Sequence, residues 1–208
     1  MAPDQPLGAR APLILASASA GRASVLRGAG IPFRQQPAAI NERALEAAAG
    51  RNGVVEAGQL ALMLAGAKAQ TVSVGEPDAL VVGADQVMEC EGVLYQKPPD
   101  IVAARGQLHQ LRSRTHRLNS GICVAQGGRA CWQHLSTADL TMRHFSDGFL
   151  DDYCRAEGAA MLQSVGAYRI EGVGIQLFSK IEGDHFTIIG LPLLPLLGYL
   201  RQIGWLAA

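Results

Sequence analysis

Short apolar runs alternate along the chain with stripes of helical period. Strands are expected over 12–16, 79–88, 118–126, 130–142, 166–170, 174–181 and 186–190, where β-branched and apolar residues cluster between turn residues. Helices are expected over 20–29, 55–73, 100–112, 146–157 and 192–203, with Asp100 and Ser146 as N-caps and Pro192 in a first helical turn. Gly127-Gly128 and Gly183-Asp184 mark turns between neighbouring strands. Interleaved strands and helices make the class α/β, with a mixed, curved sheet. The pattern shows no internal repeat and no low-complexity linker, and residues 1–11 read as a loose tail before a single domain over 12–208.

Composition narrows this picture. With 208 residues, 49% hydrophobic and 17% charged, the chain can bury a sizeable core as one domain, or at most two closely joined lobes. A net charge of zero argues against an extended nucleic-acid or membrane footprint, while permitting a local basic pocket. Cys90, Cys123, Cys131 and Cys154 form no Cys-x-x-Cys pair, and no basic-then-apolar leader precedes residue 13, so the expected setting is reduced and cytoplasmic. The apolar run at 186–200 is shorter than the roughly 20 residues of a membrane span and contains Pro192 and Pro195. Neither a complete Walker phosphate loop nor a complete Gly-x-Gly-x-x-Gly after a strand is present, and the histidines lack zinc-site spacing.

Four short stretches carry candidate chemistry. LILASASAGR (13–22) runs a strand directly into a helix start, where unpaired N–H groups and the helix dipole favour an anion, with Ser17, Ser19 and Arg22 as further donors. The ordinary alternative is that a serine caps the helix and Arg22 is solvated. In GADQVMECEGVLYQK (83–97), small residues precede Asp85, and a short hairpin leads to Lys97, so that acid and lysine can face one pocket from opposite sides; a turn-forming Asp and a surface ion pair are the alternatives. Asn41-Glu42 stands just ahead of a helix, as site residues or as a cap and first-turn acid. Lys68 is a lone charge in a small, apolar helical stretch, where a snorkelling lysine is the ordinary explanation.

The order of these segments is more specific than any one of them. LILASASAGRASVLRGAGIPF, INERALEAA, LAGAKAQTV, VVGADQVMECEGVLYQKP, SRTHRLNSGICV, VGAYRIEGVGIQLFSKIEGD and IIGLPLLPLL together resemble the Maf family of nucleotide pyrophosphatases, over about residues 12 to 204. The resemblance implies a cytoplasmic enzyme, often a homodimer, that uses Mg²⁺ or Mn²⁺ to hydrolyse nucleoside triphosphates to monophosphate and pyrophosphate. It implies an elongated α/β fold with two lobes about a central cleft, similar to inosine triphosphate pyrophosphatases.

Carried over by position, the family's junction serines fall on Ser17 and Ser19, its motif arginine on Arg22, its acid on Glu42 and its helix lysine on Lys68. Its proton acceptor falls on Asp85 and its turn lysine on Lys97. Asp85 and Glu42 would hold the metal, and Arg22, Lys68 and Lys97 would cradle the triphosphate. Two departures stand out: Ala20-Gly21 replaces the usual Pro and Arg or bulky aromatic, and Gln96 precedes Lys97 in place of Gly. Gly21 removes a side chain that would wall the base, which broadens the expected specificity. Gln86 and Glu171 match the group resembling 7-methyl-GTP pyrophosphatases, and a carboxylate can accept both adjacent donors of a guanine edge. Glu182 and Asp184 are metal contacts or loop-ordering acids, and Arg114-Thr115-His116 is read as structural. Two other classes are weighed: a nucleotide-binding regulator of cell division without turnover, against which the retained acid-and-lysine set counts, and a nucleic-acid-binding module, which the neutral charge disfavours.

Overall fold

The computed structural model describes residues 11–51 and 56–207. In chain order the elements are β1 (Leu13–Leu15), α1 (Ala20–Gly28), β2 (Arg34–Gln35), α2 (Glu42–Gly50), α3 (Ala57–Gly75), β3 (Leu80–Cys90), β4 (Val93–Tyr95), α4 (Ile101–Leu111), β5 (Thr115–Gln126), β6 (Arg129–Met142), α5 (Asp147–Glu157), β7 (Phe178–Glu182), α6 (His185–Ile189) and α7 (Leu193–Gln202). Two 3₁₀ turns, Gly158–Gln163 and Val173–Leu177, lie between α5 and β7.

The strands form one mixed sheet of order β2-β1-β3-β5-β6-β7, with β4 paired to the far end of β3. β1 runs parallel to β2 and β3, and the remaining pairings are antiparallel. The period-2 rule sorts side chains between faces: Leu13, Leu15, Leu80, Val82 and Ala84 join one core with Leu26 of α1 and Leu196 and Leu200 of α7. Ile14, Ala16 and Val81 join another with Ala65 and Ala69 of α3. A third core lies towards the other ends of the long strands, where Met88, Leu118 and Leu140 pack with Leu108 and Leu111 of α4 and Leu150 of α5.

Two features of β3 make room for a site. β1 pairs with Leu80–Val82 and β4 with Met88–Cys90, while β5 covers the opposite edge from Val81 to Glu89. The edge of β3 at 83–87 is therefore open between β1 and β4, where the first core gives way to the third. On the α3 face, a Cβ at Gly83 would sit 2.1 Å from the Ala65 carbonyl oxygen, and one at Gly121 would sit 2.6 Å from that of Ala61. Only glycine lets α3 approach so closely.

Helix expectations hold closely, and Asp100 and Ser146 cap α4 and α5 by accepting from Ala103 and Phe149 N–H. Three strand expectations do not hold. Residues 186–190 lie in α6 and its C-cap, because Asp184 accepts from the Thr187 N–H at the helix start and Gly190, at φ +94°, closes its end. A short apolar run leaves helix and strand indistinguishable by period alone, and the caps decide. Residues 166–170 turn without pairing, with Ala167 at φ +57°. Of 174–181, only the part from Phe178 pairs with β6; the first half belongs to the 3₁₀ turn. The expected tail lies outside the described residues except Ala11, whose carbonyl accepts from the Trp205 indole N–H at 2.8 Å. Among the described residues no helix is long and apolar enough to cross a membrane.

Candidate active site

A cleft of about 900 Å³ opens over the free edge of β3. Ser17, Ser19, Arg22, Glu42, Lys68, Asp85, Gln86, Lys97 and Glu171 all line it, so the nine residues singled out from sequence meet in one place. Asp85 follows Gly83 by two, and so shares its face towards α3, where Lys68 lies beside Ala69. The Lys68 ammonium donates to Asp85 Oδ1 at 2.5 Å and pairs with Glu42 Oε1 at 3.0 Å. Lys68 and Asp85 are buried, at 8% and 7% exposure, whereas Glu42 starts α2 at the cleft rim. Lys68 therefore does not snorkel. It is the point on which two carboxylates from different elements converge.

Around this centre the strand-to-helix junction combines both uses considered for it. Ser19 caps α1 by accepting from the Arg22 N–H at 3.3 Å, yet it also lines the cleft with Ser17. Arg22 is not solvated: Nε donates to the Gly190 carbonyl at 2.9 Å, and Nη1 donates to the Ala84 carbonyl at 2.7 Å and to Ser17 Oγ at 3.1 Å. The Ala84 carbonyl lies on the unpaired edge of β3, so Arg22 satisfies a backbone acceptor that β1 leaves open. Nη2 has no partner among the described residues and is the part of the fork left for a ligand. Burial pulls the guanidinium pKa down, and the charges of Asp85 and Glu42 oppose this.

Lys97 comes in from the other side, beyond the β3–β4 hairpin. Its pKa is lowered, first by desolvation within the cleft and then by repulsion from Arg22 and Lys68. An anion here would relieve that repulsion. Glu46, one helical turn beyond Glu42, also lines the cleft and accepts from Gln96 Nε2 at 3.2 Å. Burial, followed by the neighbouring charges of Asp85 and Glu42, pushes its pKa up. Sequence reasoning passed over Glu46, although its i, i+4 spacing from Glu42 was a signal that both share a helix face.

The opposite wall is mostly apolar and was largely missed. Leu118, Val165, Tyr168 and Ile188 line it and belong to the third core, with Ile170 packed against them. Tyr168 is held by a 2.7 Å hydrogen bond between its hydroxyl and His116 Nε2, which bears out a structural use of His116. Burial lowers the His116 pKa to about 4, so the ring is neutral at pH 7. Arg169 lines the cleft too, with its guanidinium on Glu157 at 3.0 and 3.4 Å. Glu171 stands exposed in the next turn, with no hydrogen-bond partner among the described residues. Gln86 is less free than expected: its Nε2 faces Ser120 Oγ at 2.9 Å and the Thr187 and Ile188 carbonyls at 3.0 and 3.1 Å. Its Oε1 has no hydrogen-bond partner among the described residues. Gly21 does not open the wall, because Ile189 Cγ2 lies 3.2 Å from where a Cβ would stand. Asp184 and Glu182 order their loop, the first capping α6 and the second pairing with Lys180 at 2.8 Å.

Among the described residues no three acidic, histidine or cysteine side chains gather as a metal cage. Five cationic side chains, Arg22, Arg43, Lys68, Lys97 and Arg169, and four acidic ones, Glu42, Glu46, Asp85 and Glu171, line the cleft. The site is thus a mixed-charge pocket with donors at one end and apolar surface at the other.

A family model described as Maf-like protein matches residues 12–203. The nucleoside triphosphate pyrophosphatase of Nitrobacter winogradskyi is 49% identical over 195 residues, covering 94% of this chain and 95% of its own. That of Granulibacter bethesdensis is 48% identical over 190 residues, covering 91% and 96%. The 7-methyl-GTP pyrophosphatase of Rhizobium meliloti is 49% identical over 192 residues, covering 92% and 96%.

Proposed function

The chain belongs to the Maf family, and on that premise we infer that the cleft is the active site of a nucleoside triphosphate pyrophosphatase, a hydrolase acting on acid anhydrides. The observation that carries this reading is the convergence of Asp85 and Glu42 on one buried cation, with Arg22 and Lys97 close by. Relatives named for pyrophosphatase activity weigh against a binding role without turnover.

Cleaving an α–β phosphoanhydride requires a water deprotonated near the phosphorus, charge neutralisation and alignment. Asp85 is the group to take the proton, since one oxygen is fixed by Lys68 and the other has no hydrogen-bond partner among the described residues. The α1 N-terminus, the serine hydroxyls, Arg22 Nη2 and Lys97 bind phosphate oxygens and steady the negative charge of the leaving pyrophosphate. Two carboxylates converging on one cation have the hard oxygen donors that a divalent ion of this kind would take. Asp85 and Glu42 would hold Mg²⁺ or Mn²⁺. When bound, that ion supplies charge a polyanionic triphosphate requires, since cationic residues outnumber acidic ones by only one along the cleft.

The apolar wall takes the base. Glu171, without a partner at its edge, is the reader of a guanine, and its charge suits a ring made cationic by N7 methylation. The preferred substrates are guanine triphosphates, 7-methyl-GTP above all, in a house-cleaning role. The same reading treats residues 12–208 as one catalytic unit, a homodimer in a cytoplasmic setting, which light scattering and fractionation test. The decisive panel sets 7-methyl-GTP and GTP against UTP and dTTP, with Mg²⁺ and then with chelator. Guanine nucleotides should give the higher kcat/KM, and chelation should stop release. If dTTP or UTP is cleaved more efficiently than every guanine nucleotide, Glu171 is not the base reader.

A further inference from the structure

The side chain of Ile189 reaches the cleft at the C-terminal end of α6, and that helix end is fastened from below. Ser120 Oγ, fully buried, donates to the Thr187 carbonyl at 2.7 Å and accepts from Gln86 Nε2 at 2.9 Å. The same Gln86 nitrogen reaches the Thr187 and Ile188 carbonyls. Arg22 Nε takes the Gly190 carbonyl at 2.9 Å. The Thr187 carbonyl also accepts from the Gly190 N–H at 3.0 Å, while the Ile188 and Gly190 carbonyls lie past the last helical turn, so side chains from β3, β5 and α1 help to fix where the end of α6 lies. Ser120 and Gln86 are directly opposite each other on β5 and β3, which places both on one face of the sheet.

The position so determined has a steric consequence. Ile189 Cγ2 occupies the space beside Gly21, 3.2 Å from where a Cβ would be. Ile189 lines the cleft next to Ile188, which continues into Leu118, Val165 and Tyr168. An apolar surface of this kind suits a nucleobase ring, and its extent limits how large a ring fits.

We propose that Ile189 is a specificity-determining residue that, packed against Gly21, forms the edge of the base wall, and that Ser120 and Gln86 are positioning residues that hold it there. The inference rests on the reading of the cleft as a nucleotide site. It assigns to Gln86 an indirect influence on base choice, exerted through α6.

A double-variant cycle tests it, with kcat and KM measured separately for GTP and UTP and pyrophosphate as the product followed. Ile189→Ala removes the wall edge, and the GTP-to-UTP ratio of kcat/KM changes by about 10-fold or more, mainly through KM. Gly21→Ala in the wild-type background crowds Ile189 and shifts the ratio as well, whereas in the Ile189→Ala background the added methyl refills part of the gap and restores the ratio towards wild type. The same methyl thus moves the ratio away from wild type in one background and back towards it in the other, a pattern that general destabilisation does not produce. Ser120→Ala shifts the ratio in the direction of Ile189→Ala. A ratio within about 2-fold of wild type in folded, pyrophosphate-releasing Ile189→Ala overturns the inference, whatever Ser120→Ala does. A wild-type protein that releases no pyrophosphate from any triphosphate overturns the functional reading itself, and the two failures are distinguished by that control.

Discussion

Replacing Lys68 with methionine keeps most of the stem's volume in α3 and deletes the one charge on which Asp85 and Glu42 converge. Side-chain exposure is 10% for Lys68, 10% for Asp85 and 47% for Glu42, so the two ion pairs are unequal. The Glu42 pair, screened by water, contributes under about 1 kcal/mol. The Asp85 pair is buried, and breaking such a pair from one side costs about 3–5 kcal/mol, because the surviving charge is stranded. Arg22 and Lys97 offset part of this, which leaves a loss of about 3 kcal/mol and a fall in Tm of roughly 6–12 °C for a chain of this size. Urea unfolding at pH 7 measures it. Lys68→Met/Asp85→Asn should recover at least half of the loss, since the stranded charge is gone. Lys68→Met should also gain more stability from added Mg²⁺ than wild type does, because two carboxylates then lack their resident cation. A loss under about 1 kcal/mol that Asp85→Asn fails to reverse would refute the picture of a buried, charge-coupled centre.

Three further outcomes follow from the same geometry. Asp85→Asn lowers turnover by at least about 100-fold while nucleotide still binds, as read by steady-state kinetics and calorimetry; near-normal turnover removes Asp85 from its role. Glu171→Gln lowers the preference for guanine over uracil nucleotides by about 10-fold, and an unchanged ratio of kcat/KM assigns the acid to turn structure alone. His116 has a native pKa of about 4 against 6.5 unfolded, so the unfolded chain binds the extra proton between these values. Its contribution is complete above pH 6.5 and is lost as pH falls towards 4, by about 3 kcal/mol; His116→Gln should flatten that part of the stability profile, and an unchanged slope contradicts the assignment.

The candidate centre was legible through the order of its segments and their resemblance to a family: the lone lysine in an apolar helix, the acid after Gly-Ala and the serines at a strand-helix junction each had an ordinary explanation when taken alone. Which partner each would find was not legible. That Lys68 meets Asp85 depends on α3 lying against Gly83 and Gly121, a tertiary contact with no local pattern. The free edge of β3 arises because β1 stops at Leu15, and this too is set by packing. The base wall was hidden for another reason. Tyr168 and Ile189 sat in runs read as strands, and the difference was made by Asp184, Gly190 and Ala167, single residues at caps and turns. Ser120 carried no signal at all, since a buried serine on a strand looks like any other until its neighbours are known.

The most direct test of the central claim is the stoichiometry of products from one triphosphate. With GTP and Mg²⁺, the wild-type protein should release one pyrophosphate for each GMP, with no orthophosphate beyond background, and Asp85→Asn should lose both products together. GDP with orthophosphate would place the cut at the β–γ bond and contradict the account, as would undiminished pyrophosphate release by Asp85→Asn.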